Sequence, residues 1–533
     1  MSSELIVRPG PSFDNLSPDI LIEIMSYFRY DVVERDMDGP GEVRGWWLAR
    51  ATALAVALVS RSLSSIALDT LWRDMVTLQP IVQIIESSAP SPVFGFRGEG
   101  GWEIQRHPHF HQMLPRVKTY LSRIRHLKFH DLEAIEYTLW PTLMEYLKID
   151  GPLVPGVLKL HVEWDGLDLP IHPTLIPLVS PTCQRIELIS VYDNEFFADP
   201  VLHHIHRLGG NPQTLAFTGY SHHSLLSVFR SFSALRELSL NSPWKRLPGS
   251  TPSTLSTPQE LLQALPNIRV LHLDLRTVHV DRNQSKATLA SSLSSLSIRG
   301  GGPGLTHFLA SAIMSPSLTS LNIHVRGRAI GLGWRVMFEG IAQAFPSLHR
   351  LHLSAPSSTV PILGNDLVPL FKSSLKELVL KMAQIDLSTP DVTSMLQAWP
   401  GLQELCFDCP PLLETRVLEP IAAHGVLDSI HLKLDFTRLL DPSPVVLGTI
   451  VSPRRQPQLP KLAFYRPPVL PSTLKQKTAL VRNLLALFPR LDSLEFIPSY
   501  EYEEIGEELR TLLSTFRAVY QEGYRAREEE EGA

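Results

Sequence analysis

The chain has 533 residues, 44% of them hydrophobic and 19% charged, with 49 basic against 54 acidic side chains. That much apolar material excludes a globally disordered chain, and a net charge of −5 argues against a protein that lives on nucleic acid or an anionic membrane. Three cysteines cannot build a disulfide framework, which points to a reducing compartment.

Residues 1–13 lack a basic stretch followed by a long apolar core, so no secretory signal is expected and the segment reads as disordered. The most apolar run, Leu48 to Leu68, is interrupted by Arg50 and Arg61 and is too short between them to span a bilayer. A cytoplasmic or nuclear protein, off the membrane, is the expectation.

Residues 14–85 read as a helical module. Ser17 is a cap, Pro18 suits the first helical position, and Asp19 complements the helix dipole. Apolar residues then recur at Ile20, Leu21, Ile24, Met25 and Phe28 on a wide stripe. Asp31 to Gly45, with Gly-Pro-Gly at 39–41, reads as loop. A second helix is expected from about Trp47 to Leu68, and Asp69 is expected to cap a third that opens with Leu71-Trp72-Arg73. So small a bundle buries little by itself; it either packs on the domain behind it or takes a partner.

The runs Leu-Ser-Pro-Asp-Ile-Leu-Ile-Glu-Ile-Met-Ser-Tyr-Phe (16–28) and Ala-Leu-Val-Ser-Arg-Ser-Leu-Ser-Ser-Ile-Ala-Leu-Asp-Thr-Leu-Trp-Arg (57–73) resemble the F-box. The resemblance carries Leu16, Pro18, Ile20, Leu21, Ile24, Val59, Arg61, Ala67, Leu71 and Trp72 onto the family pattern. Ser17 stands where proline is usual, Ser60 and Leu63 replace the common Cys and Trp, and the first loop is unusually long. F-boxes are three-helix modules that dock the Skp adaptor of cullin-type ubiquitin ligases. The resemblance therefore implies adaptor contacts at Leu16, Pro18, Ile20, Leu21, Ile24, Val59, Leu71 and Trp72. The alternative is a helical cap for the domain behind it.

Residues 86–123 read as a linker with a helix at Leu114–Leu121, leading into a repeat array over 124–500. From Ile124 the chain keeps returning to apolar-x-x-apolar-x-apolar. Clear cases begin at Leu235, Ile268, Leu293, Leu318, Leu348, Leu375, Leu402, Leu427 and Leu491, and fainter ones at Ile124, Val157, Cys183, Pro212 and Leu459. From Leu235 the starts fall 25 to 33 residues apart, a leucine-rich-repeat period stretched by insertions. Five triplets have a proline two residues ahead: Pro266, Pro316, Pro346, Pro400 and Pro489. Between triplets lie helix signatures, with Thr257-Pro258 and Thr389-Pro390-Asp391 as caps.

Capped helix, proline stop and short strand, repeated, imply an α/β fold: parallel strands on a concave face with helices outside. The array resembles the leucine-rich-repeat family, without its asparagine ladder: Pro243, Thr277 and Pro356 stand near where Asn is expected. With the front module, the chain is similar to fungal-type F-box proteins with degenerate repeats.

Strand alternation puts the residue between the last two apolar positions, and the one just after them, on the concave face. In the early repeats these are Lys128, His130, His161, Glu163, Glu187, Ser239 and Asn241. Later they are His272, Asp274, Arg299, Asn322, His324, His352, Lys381, Asp408, His431 and Lys433, the expected target contacts. Their mixed sign fits a protein target better than a nucleic acid.

Nothing assembles a nucleophile, base and oxyanion donor, so catalysis is not expected, nor is a cofactor. His107, His109 and His111 alternate without a carboxylate or cysteine beside them, and Cys406-Phe-Asp-Cys409 has no second thiol pair, so no metal site is expected. Gly300–Gly304 reads as a turn, since no Lys-Ser/Thr comes after it. Residues 501–526 form a helix expected to cap the solenoid, with Ile505, Leu509, Leu512, Leu513 and Phe516 in phase, and 527–533 a disordered acidic tail. The implied whole is a substrate receptor of an SCF-type ligase, a monomer within a complex that holds Skp, a cullin and a target protein. A repeat scaffold without a ligase role is the alternative.

Overall fold

The computed structural model describes residues 17–28, 40–59, 61–87, 94–96, 102–104, 110–130, 143–145, 151–164, 176–190, 199–217, 224–240, 258–274, 288–301, 313–326, 333–408, 412–435, 437–441, 461–465, 470–497 and 503–532. They fall into two compact units, Met1–Leu255 and Ser256–Ala533.

The first unit opens with helices α1 (Pro18–Ser26), α2 (Pro40–Val59) and α3 (Arg61–Arg73), followed by α4 (Gln79–Ser87) and α5 (Phe110–Arg123). Three expectations are corrected here. Helix α2 begins at Pro40, inside the expected loop, because a proline at the first helical position gives up an N–H that has no partner there anyway. The break between the second and third helices falls before Arg61 rather than at Asp69, behind a serine, a residue type that favours helix starts. Helix α5 starts at Phe110, ahead of Pro115, which it accommodates.

Besides a short antiparallel pair, Phe94–Phe96 with Trp102–Ile104, the unit has six strands in its main sheet: β1 (Asp74–Met75), β2 (His126–His130), β3 (Lys159–Trp164), β4 (Arg185–Ser190), β5 (Thr214–Phe217) and β6 (Glu237–Leu240). Each pairs in parallel with the next. Strand β1 had no triplet to announce it; it joins the helical module directly to the sheet, with Asp74 opposite His126 and Met75 opposite Leu127. The faint triplets at Ile124, Val157, Cys183 and Pro212 each lead into a strand two residues on.

The second unit repeats the pattern with β7 (Val270–Asp274), β8 (Ser295–Gly301), β9 (Ser320–Arg326), β10 (Arg350–Ala355), β11 (Glu377–Met382), β12 (Glu404–Asp408), β13 (Ser429–Leu432), β14 (Lys461–Tyr465) and β15 (Ser493–Ile497). These nine also pair in parallel, each with its successor, with every triplet in line. Strand β8 runs through Gly300 and Gly301 instead of turning there. The fold is thus α/β, one main-sheet strand per repeat in parallel order, as the triplets imply, with short second strands pairing between some repeats, such as Ile362–Leu363 with Ile385–Asp386.

The same joint recurs between repeats. The N–H of the first apolar residue donates to the carbonyl three residues back, as in Leu348 to Phe345 and Leu402 to Trp399. The next two N–H groups donate to one carbonyl of the preceding repeat: His349 and Arg350 to Thr319, Lys376 and Glu377 to His349, Gln403 and Glu404 to Lys376. The proline two residues ahead of a triplet sits where no amide hydrogen is used, which is why Pro346 and Pro400 are tolerated.

Triplet side chains such as Leu348, Leu351 and Leu353 are buried, and each contributes roughly 1.5–3 kcal/mol. Large residues of the helical layer are buried as well, among them Trp334 and Phe338 of α6 (Trp334–Ala344) and Trp399 after α7 (Thr389–Ala398). The cap of α7 is Ser388 in a reciprocal box with Asp391, not Thr389. The final helix (Glu503–Gly532) packs on β15 through Leu509 and Leu513. It continues through the segment expected to be a disordered tail, which is rich in Ala, Arg and Glu, strong helix formers.

Candidate functional site

Two surfaces present side chains in arrangements that packing alone does not require. The first lies on the helical module. Ser17 caps α1 by accepting from the Ile20 N–H at 3.4 Å, and the helix turns Leu21 and Met25 inward. Ile20, Ile24 and Tyr27, on the neighbouring helix face, are 48%, 37% and 79% exposed. On α2, Trp47, Leu48, Leu54, Leu58 and Val59 are exposed as well.

Ile20, Ile24 and Val59 are therefore open to a partner. Leu16 and the Pro18 side chain lie outside the described residues. Leu21, Leu71 and Trp72 are corrected: they are buried parts of the module's own core. Helix α3 is packed by α1 and α2 and by α5, so its apolar residues have neighbours on several sides.

Trp72 stacks on Tyr120 of α5 with ring centroids 4.7 Å apart. Arg50 reaches across from α2, donates to the Leu71 carbonyl at 2.6 Å and sits 4.8 Å from the Trp46 ring centroid. Burial lowers the Arg50 guanidinium to about 10, against the pull of Asp74. Trp46 Nε1 donates to the Asp74 carbonyl at 3.2 Å. These contacts lock the helices to β1.

The second surface is the open side of the sheets. In the second unit, His272, Ser297, Asn322, His352, Val379, Cys406, His431, Ala463 and Glu495 form one register row. Asp274, Arg299, His324, Ser354, Lys381 and Asp408 form the next. The register thus brings His272, Arg299, Asn322, His324, His352, Lys381, Asp408 and His431 onto one face. One residue is corrected: Asp274 is only 3% exposed. Lys433 directly follows β13, its N–H donating to the Phe407 carbonyl of β12.

A third row, one residue ahead of each triplet's second apolar position, carries no apolar signal of its own: Arg350, Glu377, Glu404 and Lys461 belong to it. Strand alternation applied one residue earlier would have found them. Arg350 and His352 both pair with Glu377, the former at 3.3 Å. Burial, then Arg299 and Arg326, hold the His324 imidazole below its ordinary pKa despite Asp274. Burial, then Lys461, does the same to His431.

In the first unit the open face is tied down internally. Lys128 and His161 are buried instead of displayed. Glu187 accepts from Arg185 and lies 2.5 Å from His161 Nδ1. The side chain of His130, and Asn241, lie outside the described residues. So do His107, His109, Cys409 and the side chain of His111. Among the described residues no group of three or more His, Cys, Asp or Glu is placed to hold a metal. No described helix is long and apolar enough to cross a membrane.

No family model matches the chain, and no curated protein matches it. Among solved structures it is similar to one from yeast titled as the Rad7 and Elc1 complex, at 12% identity over 78% of this chain and 87% of that one, TM-score 0.36. A leucine-rich-repeat protein of Leptospira interrogans is 14% identical over 83% and 97% of the two chains, TM-score 0.37. An internalin of Listeria monocytogenes is 14% identical over 56% and 88%, TM-score 0.28. At TM-scores this low, the repeat assignment rests on the strand register itself.

Proposed function

We propose that the chain is the substrate receptor of an SCF-type cullin ubiquitin ligase. In this reading the N-terminal helices dock the Skp adaptor, and through it a cullin, while the open sheet face holds a target protein. The chain performs no chemistry and needs no cofactor; it positions two partners, as a monomer within the complex, in the cytoplasm or nucleus. The observation that carries the reading is the exposure of Ile20, Ile24, Trp47, Leu54, Leu58 and Val59 on a small module whose interior is already filled. Apolar surface left out on that scale marks an interaction site. The fit to the F-box pattern names the partner.

The alternative, an interaction scaffold whose helices only seal the array, is favoured by one observation: β1 joins the module to the sheet by strand pairing. Capture of a tagged Skp adaptor separates the two. Wild type captures it, and the Ile20→Asp/Ile24→Asp variant, with unchanged thermal unfolding, loses it. Capture by neither protein, or equally by both, overturns the ligase reading.

A further inference from the structure

The open face of the second unit is electrically divided along the strand order. Strands β7 to β10 carry Arg299, Arg326 and Arg350 against the buried Asp274, a net of +2 with His neutral. Strands β11 to β15 carry Glu377, Glu404, Asp408 and Glu495 against Lys381 and Lys461, a net of −2. The halves meet at the Arg350–Glu377 pair. On either side of that seam, Arg299, Glu404 and Asp408 make no ion pair among the described residues.

The two halves also differ in what lies between their charges. On the basic side Gly301 stands opposite Arg326, and a Cβ built on it meets nothing within 4 Å, so an open floor lies beside the guanidinium groups. On the acidic side, Val379, Cys406 and Ala463 of the middle row are buried, so the exposed features there are the side chains around them. Tyr465 reaches over to Cys406, its hydroxyl 3.6 Å from the Sγ, with its ring centroid 6.1 Å from that of His431. An aromatic face next to carboxylates suits a guanidinium or ammonium group.

We infer that this face reads an extended polypeptide segment bearing a carboxylate side chain over Arg299, His324 and Arg326 and an arginine or lysine over Glu404 and Asp408, against Tyr465. The inference rests on the target-binding half of the proposed function and gives the target its chemistry. Strands about 4.8 Å apart put β8 and β9 roughly 14–19 Å from β12, and an extended chain covers that in about four to six residues. The two charges on the segment stand that far apart, acid and base in one fixed order. The acidic half repels a nucleic acid or any other single-sign polyanion.

The test is a selection of phage-displayed dodecapeptides on the full-length chain, with polyglutamate as a control ligand. Wild type enriches peptides with an acidic and a basic residue four to six positions apart. Arg299→Glu/Arg326→Glu replaces the acidic preference by a basic one, Glu404→Lys/Asp408→Lys does the converse, and each weakens the best wild-type peptide at least about tenfold. Unchanged melting shows that the variants fold. No enrichment, enrichment without this charge spacing, the same peptides from all three proteins, or polyglutamate binding as tightly as the best peptide overturns the inference. Adaptor capture is scored on the same proteins. If wild type does not capture the adaptor, the ligase reading falls while the peptide result is judged by itself; if only the charge preference fails, the ligase reading is untouched.

Discussion

The hydroxyl of Tyr465 lies 3.6 Å from the Sγ of Cys406, spanning the strand between them. Burial, then the neighbouring thiol, raises the phenol, and burial pushes the Cys406 thiol up to about 11. Cys183, enclosed in the first unit, rises to about 12. Both are therefore protonated and poor nucleophiles near neutrality. In a Cys409→Ser background, titration with a chromogenic disulfide at about pH 7 finds no rapidly reacting thiol in the folded protein and two after urea unfolding. A fast native thiol would contradict this placement.

Glu187 gives a pH dependence whose sign is set by its neighbours. Burial alone would raise its carboxyl, but hydrogen bonds from His161 and Arg185 outweigh that and hold it below the ordinary range. A carboxyl depressed in the folded state stabilises above its unfolded value of about 4.3 and loses that contribution as pH falls through the folded value. Glu187→Gln costs about 1–2 kcal/mol in urea unfolding at about pH 7, and the gap from wild type narrows below about pH 4. A gap that stays constant or widens in acid would count against the network.

Ser315 has no exposed surface, and its hydroxyl reaches the carbonyls of Ala290 at 2.8 Å and Leu293 at 2.9 Å, in the preceding repeat. Ser180 makes the equivalent link to Pro155 at 2.7 Å in the first unit. Such hydroxyls tie the turn of one repeat to that of the repeat before it. Ser315→Ala removes the one hydroxyl that reaches the Ala290 carbonyl, while Leu293 keeps the Ser317 hydroxyl at 3.0 Å, and lowers stability by about 1–2 kcal/mol in urea unfolding. No loss would show that the turns hold without it.

Much of this was legible because strand side chains alternate: Leu351, Leu378 and Leu405 announce both their strands and their mutual register. Even Ile124 and Val157, in weak triplets, mark strands correctly. Strand β1 was not legible, since two residues at the end of a helix carry no period. Nor was the inward turn of Leu21, Leu71 and Trp72. An apolar stripe on a helix shows that a face is buried or sticky, and only the positions of its neighbours decide which. Asp274 was misplaced for a related reason: its row position is right, but alternation says nothing about what covers it.

The central claim is parallel stacking of the triplets in one register, and a pair of cysteines measures it directly. Asn322 and His352 are Cα partners on β9 and β10, about 4.8 Å apart in a parallel pair and within disulfide reach. Ser354, two residues further along, stands about 8 Å from Asn322, beyond it. Under mild oxidation, with peptides mapped by mass spectrometry, Asn322→Cys/His352→Cys forms a disulfide and Asn322→Cys/Ser354→Cys does not. The reverse result, or a bridge in both, would contradict the register on which the fold and its open face depend.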